Sequence, residues 1–268
     1  MQSGAYLVVL CYARAMMDAF ARAQNEAVRA SLAAQAGCDV GALAREELTI
    51  VERPEPPRWP FSGMFLTCGT GTVICVTAPY LEWAHGLKLE RHFYAFGMAD
   101  AMARDAEKRG VTLQAWPPAL AWSLARAPEA PEAPRGLRLQ RFEKDWMTAL
   151  QKEGAFHNAC GDVGQTHRTF RNKFAMALVD DAGAPAAVAG VFDTGGLWEI
   201  GIDVARARRG EGVAPVVVAA AVRAILDAGE TPYYVCGVGN IRSQHTAFAS
   251  GFATAGAVSF VVEAEIGR

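Results

Sequence analysis

Apolar positions recur with a helical period over the first thirty-odd residues and with a strand-like period over much of the last half, so the chain reads as mixed α/β. From Tyr6 to about Ala36, Met16, Phe20, Ala23 and Val28 keep helical spacing among good helix formers, which predicts one or two helices ended by Gly37. Leu43 to Val51 reads as a short helix passing into a strand, and Pro54, Pro56, Pro57 and Pro60 then forbid regular structure. Phe65 to Thr77 is β-branched and apolar about Gly69-Thr70-Gly71, a hairpin pattern, and Leu89 to Arg109 reads as a helix stopped by Gly110.

Arg126 to Arg135 has a proline at every third residue and no large apolar side chain, so it reads as an extended linker. The predicted domains are therefore 1–125, a smaller α/β unit, the linker 126–135, and 136–268. Beyond the linker, Leu137 to Arg141 alternates as a strand and Glu143 to Glu153 is helical. Phe156 to Phe170, a second helix or a loop, carries His157, Asn158, Asp162 and His167. Phe174 to Val179 and Ala186 to Phe192 form a predicted hairpin about Asp180 to Gly183, and Leu197 to Val204 is a further strand. A helix over Val213 to Ala228, a strand over Tyr233 to Val238, a short helix over Ile241 to Ser250 and a strand over Ala257 to Glu263 complete the pattern.

Composition narrows the function classes. Hydrophobic residues make up 51% and charged residues 20%, ordinary for a well-cored soluble chain. The 26 basic and 28 acidic residues divide evenly between the halves, so the basic excess that nucleic acid needs is missing. No stretch reads as a membrane span or a signal peptide, and a cytoplasmic protein is expected. The cysteines Cys11, Cys38, Cys68, Cys75, Cys160 and Cys236 are scattered without a C-x-x-C pair and read as buried free thiols. His157, Asp162 and His167 are spaced five apart, which suits no helix-face metal motif, so no metal is expected. Pocket lining and a solvated loop are the two readings for them. Trp59, Trp83, Trp116 and Trp122 read as core or interface residues rather than a ligand cage.

The stretch with distinctive chemistry is Arg209-Gly210-Glu211-Gly212-Val213-Ala214, between a strand and a helix. Two glycines and a helix start make an anion seat. It is not a P-loop, because Gly212 is followed by Val213 and Ala214 rather than Lys and Ser/Thr. Nor is it a dinucleotide loop, because Pro215 stands where the third glycine belongs. The pattern Arg-x-x-Gly-x-Ala, with Glu199 to Val204 upstream and Asn240, Ser243 and Gly251-Phe252 downstream, resembles the GNAT acetyltransferases over about Leu137 to Phe260.

That resemblance implies a mostly antiparallel GNAT-like sheet flanked by helices, with acetyl-coenzyme A as co-substrate and an amine as acceptor. It implies that backbone N–H groups of Arg209, Gly210, Glu211, Gly212, Val213 and Ala214 hold the pyrophosphate. The pantetheine arm would lie along Ile202, Asp203 and Val204, with the Val204 N–H as oxyanion donor. Asn240 and Ser243 would touch the coenzyme, although helix capping explains them equally well. An alkyl amine of pKa about 10.4 is disfavoured as neutral nucleophile at pH 7 by roughly 4.6 kcal/mol, and Glu199 stands where family members place a general base. An ordinary carboxylate is a weak base at pH 7, so partial burial is expected to raise its pKa. The tyrosine that often protonates the thiolate is replaced by Ala247, His245 is a substitute to weigh, and Phe248 reads as packing.

Two functions follow: an acetyltransferase, or an acyl-coenzyme A-binding sensor or scaffold with little turnover. The acceptor stays open between a small molecule, a protein N-terminus and a lysine. A homodimer is kept as a further assembly.

Overall fold

The computed structural model describes residues 3–54, 61–153, 156–160 and 171–263, and their side chains save those of 3–17 and 171. Trp59, Asp162 and His167, with the Cys11 side chain, lie outside the described residues.

In chain order the elements are α1 (Ser3–Ala36), β1 (Leu48–Glu52), β2 (Gly63–Thr67), β3 (Thr72–Val76), α2 (Leu81–His85), α3 (Ala99–Lys108), β4 (Leu113–Ala115) and β5 (Ala119–Leu124). There follow β6 (Arg138–Glu143), α4 (Lys144–Lys152), α5 (His157–Cys160), β7 (Arg171–Val179), β8 (Pro185–Asp193) and β9 (Trp198–Val204). Last come α6 (Val213–Asp227), β10 (Pro232–Gly237), α7 (Ile241–Ala249) and β11 (Phe252–Glu263).

α1 ends as its sequence predicts: Gly37 takes φ +69° and the Cys38 N–H reaches back to the Ala33 carbonyl at 3.0 Å. The helix expected over Leu89 to Arg109 begins only at Ala99, while His92–Met98 forms tighter 3₁₀ turns. Consecutive aromatics explain the delay. His92, Phe93 and Tyr94 stack edge to face on one another, with ring centroids 5.5 and 4.9 Å apart. The His92 ring also meets the Thr72 hydroxyl at 3.2 Å, and so is held to β3.

All the strands join one sheet, ordered β1-β3-β2-β11-β5-β10-β9-β8-β7-β6, with β4 beside β11. Its pairings are antiparallel except β1/β3 and β9/β10, so the fold is a mixed, mostly antiparallel sheet flanked by helices. Residues 126–135 form no helix or strand, yet the sheet runs across them. β5, from before the Pro-rich segment, lies between β10 and β11 from after it and pairs with both.

Side-chain alternation divides the core between the two faces. Tyr234 and Cys236 of β10 join Ile200 of β9 and Val217, Val218, Val222 and Ile225 of α6 on one face. Tyr233 turns to the other face with Val28 and Leu32 of α1. On that same second face, α4 and α5 bury Met147, Ala159 and Cys160 against β7 and β8. Each large aliphatic side chain so buried contributes about 1.5–3 kcal/mol. Cys68, Cys75, Cys160 and Cys236 are buried free thiols as expected, whereas Cys38 is only half-buried, and burial pushes Cys68, Cys75 and Cys160 up to about 12.

Candidate functional site

β9 and β10 run parallel, but they are paired only at Pro232↔Trp198 and Tyr233↔Glu199. Beyond those residues the strands have no common register, so a wedge opens in the middle of the sheet. The direction of the β9 N–H groups follows from two bonds. Trp198 N–H donates to the Thr231 carbonyl on the β10 side at 3.0 Å, and Ala205 N–H donates to the Ala186 carbonyl on the β8 side at 2.9 Å. Successive amides in a strand point opposite ways, so Ile200, Ile202 and Val204 share the orientation of Trp198. Ile202 and Val204 therefore turn their N–H groups towards β10, where neither has a strand partner.

The loop that follows β9 closes the wide end of this wedge. A 3₁₀ turn over Arg206–Arg208 leads into Gly210 at φ +90° and Gly212 at φ +74°, ψ +11°, where any side chain would be strained. Gly212 is the N-cap of α6, with no side chain capping the helix. Among the described residues, no acceptor is bonded to the N–H groups of Gly210, Gly212, Val213 and Ala214. Open donors at the positive end of a fifteen-residue helix make an anion seat. The Arg208–Glu211 ion pair at 3.0 Å and the Arg209 Nε bond to the Val204 carbonyl at 3.4 Å tie the loop to itself and to the end of β9.

Glu199 is half-buried at the apex, where the paired strands part, and its register partner is Tyr233. Burial, and then the Glu199 carboxylate, push the Tyr233 hydroxyl well above its ordinary value. Glu199, Gly201 and Asp203 share the face that carries α5. The Asp203 carboxylate caps α5: it accepts the Asn158 N–H at 2.6 Å, the Asn158 side-chain amide at 2.8 Å and the Ala159 N–H at 3.0 Å. This function of Asp203 was not legible in sequence, because its partners lie 45 and 44 residues away. An Asp203→Ala variant leaves those donors without an acceptor, and thermal melting should show a loss of about 1–2 kcal/mol.

On the β10 side, Asn240 Oδ1 accepts the Ser243 N–H at 3.2 Å, so the capping geometry foreseen for this pair is present. The Ser243 hydroxyl meets the buried Tyr234 hydroxyl at 2.7 Å. Ala247 is fully buried in the α6-side cluster. Phe248, expected to pack, is 72% exposed instead, because α7 turns that position outward, and His245 is exposed too. His157 is exposed at the start of α5. Trp122 is buried in the core, whereas Trp83 and Trp116 are half-buried against Phe65 and Phe260. Among the described residues, no group of three or more His, Cys, Asp or Glu could hold a metal ion. Among the same residues, no helix is long and apolar enough to cross a membrane.

A mostly antiparallel sheet flanked by helices, with a glycine loop at a helix start, is the arrangement implied by the sequence resemblance; the opening between the two parallel strands is a finding of the structure. The chain has a mixed α/β fold, a large and mostly antiparallel sheet flanked by helices. No protein-family model and no curated protein matches the sequence. Among solved structures, it is similar to a Drosophila protein at 18% identity and TM-score 0.47, with 63% of this chain and 58% of that one covered. A GCN5-related N-acetyltransferase-like protein from Streptococcus suis is 16% identical, with TM-score 0.42, over 60% of this chain and 66% of that one. A GCN5-related N-acetyltransferase from Kribbella flavida is 17% identical, with TM-score 0.42, over 71% and 78%. The chain thus spans less than two thirds of the first two structures. The loop after β9, the Ile202 and Val204 amides, which have no strand partner among the described residues, and Glu199 all border the wedge.

Proposed function

We propose that the protein is an acyltransferase that moves acetyl from acetyl-coenzyme A to an amine by direct attack within a ternary complex. The observation that carries this reading is the free edge of β9. Ile202 and Val204 present N–H groups to a wedge that no strand fills, and an extended chain with amide carbonyls fits there as a false strand. Pantetheine is such a chain. Its pyrophosphate would reach the N–H groups of residues 209–214, and the thioester carbonyl would accept from the Val204 N–H, which steadies the charge that develops on attack. Asn240 and Ser243 border the opposite wall.

Glu199, at the apex and on the α5 face, takes the proton of the attacking ammonium, directly or through a water. Once the amine is neutral it attacks the thioester carbon, the C–S bond breaks with the coenzyme leaving as thiolate, and the nitrogen gives its surplus proton to that thiolate or to water as the amide forms. Ala247 offers no donor to that thiolate, and the Tyr234 and Ser243 hydroxyls are bonded to each other. This one feature favours the second reading, a protein that binds acyl-coenzyme A and turns over little.

Two measurements separate the readings. Titration with coenzyme A should give saturable binding, and a Gly212→Val variant should weaken it at least tenfold, because valine resists the left-handed conformation that aims the loop's N–H groups. Thiol release from acetyl-coenzyme A should then rise with added amine. Binding without amine-dependent release selects the sensor, and unaltered binding by Gly212→Val removes the loop from the site.

A further inference from the structure

The sheet ends in β6 on one side and β1 on the other, and the two edges differ in kind. β6 carries Arg138, Gln140, Arg141 and Glu143, charged and polar side chains of the sort that keep other strands away. β1 is Leu48-Thr49-Ile50-Val51-Glu52, with one charge at its end, and it pairs with β3 without a bulge. Neither lysine, proline nor irregular backbone blunts this edge.

Two bonds show which of its main-chain groups face outward. The Thr72 N–H donates to the Glu47 carbonyl at 3.1 Å, and the Arg53 N–H donates to the Val76 carbonyl at 2.8 Å, so residues 47 and 53 turn towards β3. By alternation Thr49 and Val51 do the same, while Leu48, Ile50 and Glu52 turn their N–H and carbonyl groups outward. Among the described residues nothing is bonded to them there.

A second copy of β1 meets this row with a matching one only if even-numbered residues lie opposite even-numbered residues. Charge then selects the register. With a two-fold axis at Ile50, Glu47 of each copy lies opposite Arg53 of the other, and Thr49 lies opposite Val51. An axis at Thr49 instead sets Glu46 against Glu52 and Arg45 against Arg53, like charges in both cases. An axis at Val51 sets Leu48 against Pro54, which has no N–H to give. Leu48 and Ile50 also pack against the cluster of Phe65, Ile74 and Val76, so pairing at Ile50 brings the apolar layers of two copies together.

We propose that β1 is a dimer interface, at which a second copy of this chain adds its own β1 antiparallel about Ile50 and the two sheets become one. This owes nothing to the acyl-transfer reading.

The test is analytical ultracentrifugation of the full chain over a range of concentrations. Wild type should dimerise as concentration rises. Glu47 is exposed, so Glu47→Arg leaves the monomer folded; it sets arginine against arginine at both ends of the pairing and should weaken the dimer about tenfold. Adding Arg53→Glu restores opposite charges and should bring the affinity back to within about threefold of wild type. Ile50→Pro removes the central outward N–H but no bond to β3, and should leave only monomer. Proline disturbs the packing of Ile50, and Arg53→Glu removes a guanidinium bonded to the Phe61 carbonyl, so Glu47→Arg alone carries the test if either variant melts early. Wild type that stays monomeric up to about 100 μM, or a dimer that Glu47→Arg leaves unchanged, overturns the proposal. So does a folded double variant that dimerises no better than Glu47→Arg, or a folded Ile50→Pro that dimerises like wild type.

Discussion

In a Glu199→Gln variant, the turnover of amine acetylation at pH 7 should fall by about a hundredfold to a thousandfold, with the KM for acetyl-coenzyme A unchanged. The reason lies in the proton. At pH 7 an alkyl amine of pKa about 10.4 is neutral in roughly one molecule in 2,500, a cost of about 4.6 kcal/mol that a base at the apex offsets. Glutamine keeps the size and the hydrogen-bonding reach of the side chain but takes up no proton. The variant's rate should then climb about tenfold per pH unit towards the amine's pKa, because the rate follows the neutral fraction alone. Wild type should lose that steep dependence once Glu199 is ionised. A variant with full wild-type rate at pH 7, or one with a flat pH profile, removes Glu199 from the proton transfer. The coenzyme's own binding is an internal control, since the contacts proposed for it run along Ile202 to Val204 and the loop rather than through the carboxylate.

The sequence made parts of this site legible because their physics is local. Gly210 and Gly212 before an apolar helix announce an anion seat from neighbours in the chain alone, and the hairpin of β7 and β8 announces itself by alternation about Asp180 to Gly183. The wedge was not legible. It exists because β10 stays in register with β9 for only two residues, and what holds β10 away is its other neighbour, β5, paired from Tyr233↔Ser123 to Gly237↔Ala119. β5 itself escaped notice: Ala119-Leu-Ala-Trp-Ser-Leu124 follows Pro117 and Pro118 and mixes small residues with large, so neither period stands out. Pairing across more than 100 residues of chain leaves no trace in a local pattern. The Pro-rich stretch at 126–135 reads as an extended linker, but a change in composition says nothing of whether strands on either side share one sheet.

The largest effect on stability should come from Gly190→Ala, a substitution that looks benign in sequence. Gly190 lies in the middle stretch of β8, with Gly201 of β9 as its register partner, and both face α5. A Cβ at Gly190 would run into the Ala159 carbonyl, and one at Gly201 into the Asn158 carbonyl. Neither obstacle is the flexible end of a side chain: each is backbone of the short helix that Asp203 caps, so relief requires the whole helix to lift. Lifting it breaks the Asp203 bonds to Asn158 and Ala159 and uncovers Ala159 and Cys160, both fully buried. Overpacking of this kind costs about 1–3 kcal/mol before the lost cap is added, and together about 2–4 kcal/mol is expected. For a chain of this size that lowers the melting temperature by roughly 5–15 °C. A Gly183→Ala control in the β7/β8 turn takes only the strain of φ +83°, since nothing lies near its Cβ, and should cost about 1 kcal/mol. If Gly190→Ala melts with or above that control, α5 is not seated on the paired glycines. The comparison also bears on the chemistry, because α5 and Glu199 share one face of the sheet. A helix displaced there reshapes the acceptor side of the wedge while leaving the glycine loop intact, so Gly190→Ala should lose amine-dependent turnover well before it loses coenzyme affinity.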